Sequence, residues 1–165
     1  MKIKFLKTHP DAQLPKRNHG IRKLTIDELQ DPKCRNWSLE DMSTADSGYD
    51  IFAAEDTVIP GEGQAVVPVG IQVAYITPGY WFRIESRSGL SFKAGILAHP
   101  GIIDNQYRGD LGTCLYNHRH TTYTVKKGDR IAQLVVYRVY EAEIEWAEEV
   151  HETKRGEKGF GSSGS

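Results

Sequence analysis

Three segments of this chain concentrate groups suited to a phosphorylated ligand. In Glu85-Ser86-Arg87-Ser88-Gly89-Leu90, an arginine fork stands beside hydroxyls and a glycine that lets backbone approach an anion. On its own the segment also reads as a polar turn with a surface arginine. The tail interleaves Gly156, Gly159, Gly161 and Gly164 with Arg155, Lys158 and Phe160. Such spacing suits a loop whose successive N–H groups cradle phosphate, although no Gly-Lys-Ser/Thr run follows to make it a P-loop. The closing Gly-Ser-Ser-Gly-Ser alone reads as a linker. Arg155 and Phe160 argue for more, since an aromatic on a flexible tail can stack on a base. The third segment is Gly101-Ile102-Ile103-Asp104-Asn105-Gln106-Tyr107-Arg108-Gly109. A carboxylate, with an ordinary pKa of about 3.9, is ionised at neutral pH and can polarise a water. Asp104 could do this while Tyr107 stacks on a sugar or base, or Asp104 could simply cap a turn.

Asp46, Asp50 and Asp129 are further acids beside glycines. Mg²⁺ keeps several waters and takes other ligands from phosphates, so scattered acids can serve it. Cys114, His118 and His120 invite a zinc reading, but no Cys-x-x-Cys partner exists and the stretch reads as a polar turn.

The elements that must position these groups are mostly strands. Residues 2–6 alternate charge with apolar side chains, which predicts a short first strand and not a signal peptide. Further strands are expected at 66–73, 80–84, 111–116, 121–125, 131–140 and 143–150. Pro60-Gly61, Pro78-Gly79, Pro100-Gly101 and Lys127-Gly128-Asp129 punctuate them. Helical signals are confined to a capping box at Thr25–Glu28, with a helix through Leu29, and a possible turn from Ser38 to Asp41. The pattern indicates an all-β sandwich, jelly roll or barrel in one domain over residues 1–150. The tail, 151–165, cannot bury enough apolar surface to order itself.

Composition narrows the partners. With 165 residues, 39% hydrophobic and 26% charged, the chain fits an ordinary soluble globular protein. A formal net charge of −1 gives no reason to expect nucleic acid or an anionic membrane. No apolar run approaches the roughly 18 residues of a membrane helix. Two cysteines are too few for a disulfide framework, which makes a cytoplasmic protein the expectation, or one in a host's cytoplasm if viral.

In order along the chain, five segments resemble the motifs of the trimeric dUTP diphosphatase (dUTPase) family. They are Asp46-Ser47-Gly48-Tyr49-Asp50-Ile51-Phe52-Ala53, then Arg87-Ser88-Gly89-Leu90, then Gly101 to Gly109. Gly128-Asp129-Arg130-Ile131-Ala132-Gln133-Leu134 and Arg155 to Gly164 follow. Any one is weak, whereas all five in sequence are specific. The resemblance implies a jelly-roll-like β-clip fold with one or two short helices, closed as a homotrimer whose sites each draw on three chains. It implies hydrolysis of dUTP to dUMP and pyrophosphate with Mg²⁺, which removes dUTP and supplies dUMP for dTMP synthesis.

Roles follow position by position from that resemblance. Asp104 would aim the attacking water at the α-phosphorus, and Tyr107 would pack on the deoxyribose. Backbone around Gly101 and Ile103 would read uracil. Asp50 would hold waters of the Mg²⁺, and Arg87, Ser88, Gly89 and Gln133 would contact phosphates. From the tail, Arg155 would bind the γ-phosphate and Phe160 would stack over uracil, with Gly161 and Ser162 completing the contacts. Asn105-Gln106 departs from a pair often acidic in the family. Glu85, the His99-Pro100 pair and Ser163 are smaller departures. Residues 17–43 look like an insertion. A dCTP deaminase on the same fold is a rival, but its catalytic glutamate falls at Cys114 here. A dUTP-binding regulator that docks a partner through 17–43 is the non-enzymatic alternative.

Overall fold

Alternation along the chain becomes strand pairing in a computed structural model that describes residues 1–18, 46–153 and 156. The expected helical turns at 25–29 and 38–41, most of the 17–43 insertion, and Arg155, Lys158, Phe160, Gly161 and Ser162 lie outside those residues. In chain order the strands are β1 (Ile3–Lys7), β2 (Gly48–Phe52), β3 (Thr57–Ile59), β4 (Gln64–Ile76) and β5 (Tyr80–Glu85). A helix α1 (Ser88–Ala94) separates these from β6 (Ile96–Ala98), β7 (Gly101–Ile103), β8 (Asp110–Asn117), β9 (Tyr123–Val125) and β10 (Arg130–Arg138).

Two four-stranded sheets, ordered β1-β4-β8-β6 and β2-β10-β5-β7, carry the architecture, with β3-β9 as a small third. The pairings within them are antiparallel. The period of two decides the inner faces. Val67, Val69, Ile71 and Val73 of β4 point inward with Leu111 and Leu115 of β8, and meet Ile51, Phe82, Ile84 and Leu134 of the other sheet in one core. Pro68 cannot donate to the ladder, and the β4–β8 register shifts between Pro68 and Gln72.

Short strands β2, β3, β6 and β7 add to those expected, and two segments differ outright from the sequence reading. The segment after Glu85 is not only a loop, because Ser88–Ala94 forms a short helix. It has no apolar periodicity, but its end is marked: Gly95 adopts φ 69° and donates its N–H back to the last turn. Residues 143–150, expected as a strand, form none, because no sheet edge of the same chain lies alongside them.

Candidate functional site

Asp50 is enclosed on β2, at one edge of its sheet, with a side chain only 10% exposed. A carboxylate this buried needs partners. Arg87 Nε donates to its Oδ1 at 2.7 Å, and Arg130 Nη1 and Asn18 Nδ2 each donate to its Oδ2 at 3.2 Å. The donors also brace one another. Arg87 Nη1 donates to the Arg130 carbonyl and Arg130 Nη1 to Asn18 Oδ1, both at 3.2 Å. Two guanidiniums thus converge on one carboxylate.

Local sequence explains the convergence. Arg87 is extended, with φ −97° and ψ 129°, at the cap of α1, so its side chain reaches back toward β2 while its carbonyl starts the helix. Ser86 fixes the preceding backbone by accepting from Ala98 N at 2.9 Å and donating to Ala98 O at 3.1 Å. Gln133 on β10 lies across Gly48 and donates to the Ser86 carbonyl at 2.9 Å. A Cβ at position 48 would press on Gln133 Oε1, so this amide keeps its place only if residue 48 is small.

The resulting cavity, about 230 Å³, is lined by Asn18, Asp46, Ser47, Gly48, Asp50, Arg87, Ser88, Gly89 and Gln133. Three of the segments singled out in the sequence therefore meet in one place. Asn18 was missed, for nothing in its local sequence marks it. Arg130 was overlooked as a site residue although it lies within a motif. Asp129 serves its own turn, accepting from Lys126 N at 2.9 Å. Tyr123 lines an adjoining cavity with Arg87, Arg130 and Asp129. Burial, and then the charge of Asp129, push its phenol up, so it stays neutral.

Asp104 and Tyr107 lie elsewhere. They follow β7, at the opposite edge of the same sheet. Asp104 is exposed. Tyr107 is 39% exposed and donates its hydroxyl to the Asp110 carbonyl at 2.8 Å. Gly101 is half-buried opposite Ile84, and Ile103 is buried opposite Phe82. Asp50 pairs with Gln133, and Gln133 with Glu85, whereas Asp104 comes one residue after the Ile103–Phe82 pair. Three strands across and about four residues along place the two acids roughly 20 Å apart.

Neither a zinc site nor a tight carboxylate cluster is present among the described residues. His120 faces Glu62 at 3.2 Å and Cys114 faces Gln64 at 3.7 Å.

A family model described as dUTPase matches residues 37–164. The deoxyuridine 5'-triphosphate nucleotidohydrolase of Debaryomyces hansenii is 47% identical over 124 residues, covering 74% of this chain and 77% of that protein. That of Paramecium bursaria Chlorella virus 1 is 43% identical over 118 residues, covering 72% and 83%. Among solved structures, Staphylococcus bacteriophage 80alpha dUTPase with dUpNHpp matches with a TM-score of 0.76 and 29% identity over 99% of both chains. A variant dUTPase from phage phi11 of S. aureus, described with a structural Mg(II) ion, matches with a TM-score of 0.69 and 25% identity. It covers 92% of this chain and 100% of that one.

Proposed function

The chain belongs to the dUTPase family, and from that premise we infer that it hydrolyses dUTP to dUMP and pyrophosphate, removing dUTP and supplying dUMP for dTMP synthesis. The observation that carries the reading is the arginine–carboxylate hub, built from segments far apart in sequence around a cavity of phosphate-binding character.

Arg87, Ser88, Gly89 and Gln133 contact the triphosphate. Asp104 orients the attacking water toward the α-phosphorus and accepts its proton, while Tyr107 packs against the deoxyribose. Gly101 and Ile103 present backbone groups to the uracil edge. Arg155, Phe160, Gly161 and Ser162 close over the nucleotide from the tail. Catalysis of this kind is mainly positioning and charge stabilisation.

The donor set fits Mg²⁺. An ionised carboxylate accepts about four hydrogen bonds. Among the described residues Asp50 accepts three hydrogen bonds, and it would hold waters of the ion, while Asp46 adds a second carboxylate to the cavity lining. Asp46 and Asp50 would repel a bare triphosphate, and a divalent cation bound with it would offset that repulsion. When bound, the ion neutralises phosphate charge and polarises the phosphoryl oxygens.

The enzyme works as a homotrimer with shared sites. Reacting atoms must come within about 3–3.5 Å. Asp104 and the hub stand at opposite edges of one sheet, so a site using both takes them from different copies. The segment after β10 supports this. Ile144 is 94% exposed and Trp146 fully exposed, alternating with Glu143 and Glu145 as in a strand awaiting an edge. The edge of β1, unpaired among the described residues, suits it in charge, since Lys2 and Lys4 alternate there with Ile3 and Phe5.

The test is pyrophosphate release from each deoxynucleoside triphosphate, with and without EDTA. Release from dUTP alone, abolished by EDTA and restored by Mg²⁺, is expected. Equal release from dCTP or dTTP, or none from dUTP, would overturn the reading.

A further inference from the structure

The loop that carries Asp104 is fastened through the residue beside it. Asn105 is half-buried, and its Nδ2 lies 2.9 Å from the Tyr80 carbonyl, 3.0 Å from that of Thr77 and 3.3 Å from that of Ile76. The three carbonyls frame the β4–β5 turn: Ile76 ends β4, Thr77 lies in the turn and Tyr80 opens β5. Three acceptors around one atom demand a donor there, which settles the orientation of the amide.

The other bonds hold the loop to itself. Arg108 Nη1 donates to the carbonyls of Asn105 at 2.8 Å and Tyr107 at 2.7 Å. Tyr107 N donates to the Asp104 carbonyl at 3.0 Å. A second outward tie runs from Gln72 Nε2 to the Arg108 carbonyl, at the far end of the loop. The end bearing Asp104 is tied to the sheet by Asn105.

We propose that Asn105 is a positioning residue for dUTP hydrolysis, an obligate donor that sets where Asp104 and Tyr107 stand against a neighbouring subunit's phosphate pocket. The proposal rests on the reading of Asp104 as the water-orienting group. It also gives a physical reason why an acid cannot serve at this position in this chain. An ionised carboxylate would face three carbonyl oxygens with no hydrogen to offer, and burial would add to the penalty.

The experiment is steady-state pyrophosphate release by Asn105→Ala, Asn105→Asp and Asn105→Ser between pH 5.5 and 9, with Asp104→Asn assayed alongside. Asn105→Ala is expected to lower kcat by about 10–100-fold, the scale of a misplacement near 1 Å, with KM for dUTP shifted less than about threefold. Asn105→Asp is expected to match the alanine variant at high pH and to gain on it as pH falls. The reason is that burial and the facing carbonyls raise that carboxyl's pKa, and its protonated form donates. Wild-type kcat in Asn105→Ala, or a kcat ratio of the Asp to the Ala variant that is flat with pH, overturns the proposal. Should Asn105→Asp not fold, Asn105→Ser, which keeps one donor, is expected between wild type and alanine. Equality of Ser with Ala overturns it. Full turnover in Asp104→Asn would instead sink the role of Asp104 itself, whereas an inert Asp104→Asn beside a normal Asn105→Ala removes only the positioning.

Discussion

Asp104 and Asp50 are both carboxylates, and their surroundings give them different work. Asp104 is exposed, as its proposed role of accepting a proton from the attacking water requires. Asp50 is enclosed and committed to Arg87, Arg130 and Asn18, so its negative charge organises cations more than it attacks anything. Replacing Asp104 with Asn keeps its shape and removes its basicity. Turnover is expected to fall by about 10²–10⁴-fold, the usual share of general-base catalysis, while a non-hydrolysable dUTP analogue binds nearly as before. Single-turnover kinetics with analogue titration reads both. Near-normal turnover would show that Asp104 is not the base.

At the scale of elements, β2, β10 and the β5–α1 connection meet at the pocket, where the Gln133 side chain lies against Gly48. An added methyl there would press on Gln133 Oε1 and, at 3.0 Å, on its Cβ and Cδ. Gly48→Ala is expected to cost about 1–3 kcal/mol, to dislodge the Gln133–Ser86 hydrogen bond and to raise KM for dUTP. An unchanged melting temperature and KM would mean that Gln133 shifts freely.

Away from the site, the β9–β10 turn is tied to the β2–β3 connection by Asp56. Its carboxyl is held below the usual 3.8 by the Lys126 ammonium and the Lys127 N–H, while Lys126 is raised by Asp56. A depressed carboxyl stabilises the fold above its ordinary pKa, and that contribution is lost as pH falls through the depressed value. The raised lysine contributes below its ordinary value and loses this as pH rises through the raised one. Asp56→Asn should therefore lower the melting temperature slightly at pH 7 in low salt and leave it unchanged at pH 2 and in high salt, because the pair is exposed. A salt-independent loss would rule out the ion pair as its cause.

On the scale of the whole molecule, Tyr140, Ile144, Trp146 and Val150 face solvent with no cover from the described residues. Large apolar side chains exposed together suit a contact surface. Trp146→Glu is expected to weaken the assembly, with sedimentation velocity shifting toward smaller species and dUTP turnover falling as the shared sites come apart. A trimer of wild-type stability in that variant would place Trp146 outside the interface.

Much of the reading was local, and for that reason legible. Period-two alternation marks β4, β5, β8 and β10, and glycines and prolines mark the turns between them, because side-chain direction and turn chemistry are properties of a few adjacent residues. The motif residues, through type and order, also pointed to the dUTPase family. Tertiary structure alone decided that Asn18 joins Asp50 and Arg130, that Asn105 grips three carbonyls around the β4–β5 turn, and that Asp104 stands across the sheet from the arginine hub. It also decided that residues 143–150 form no strand in the isolated chain. Each of these depends on which distant backbone lies within about 3 Å, and no spacing within the chain records that. Strand pairing sets it.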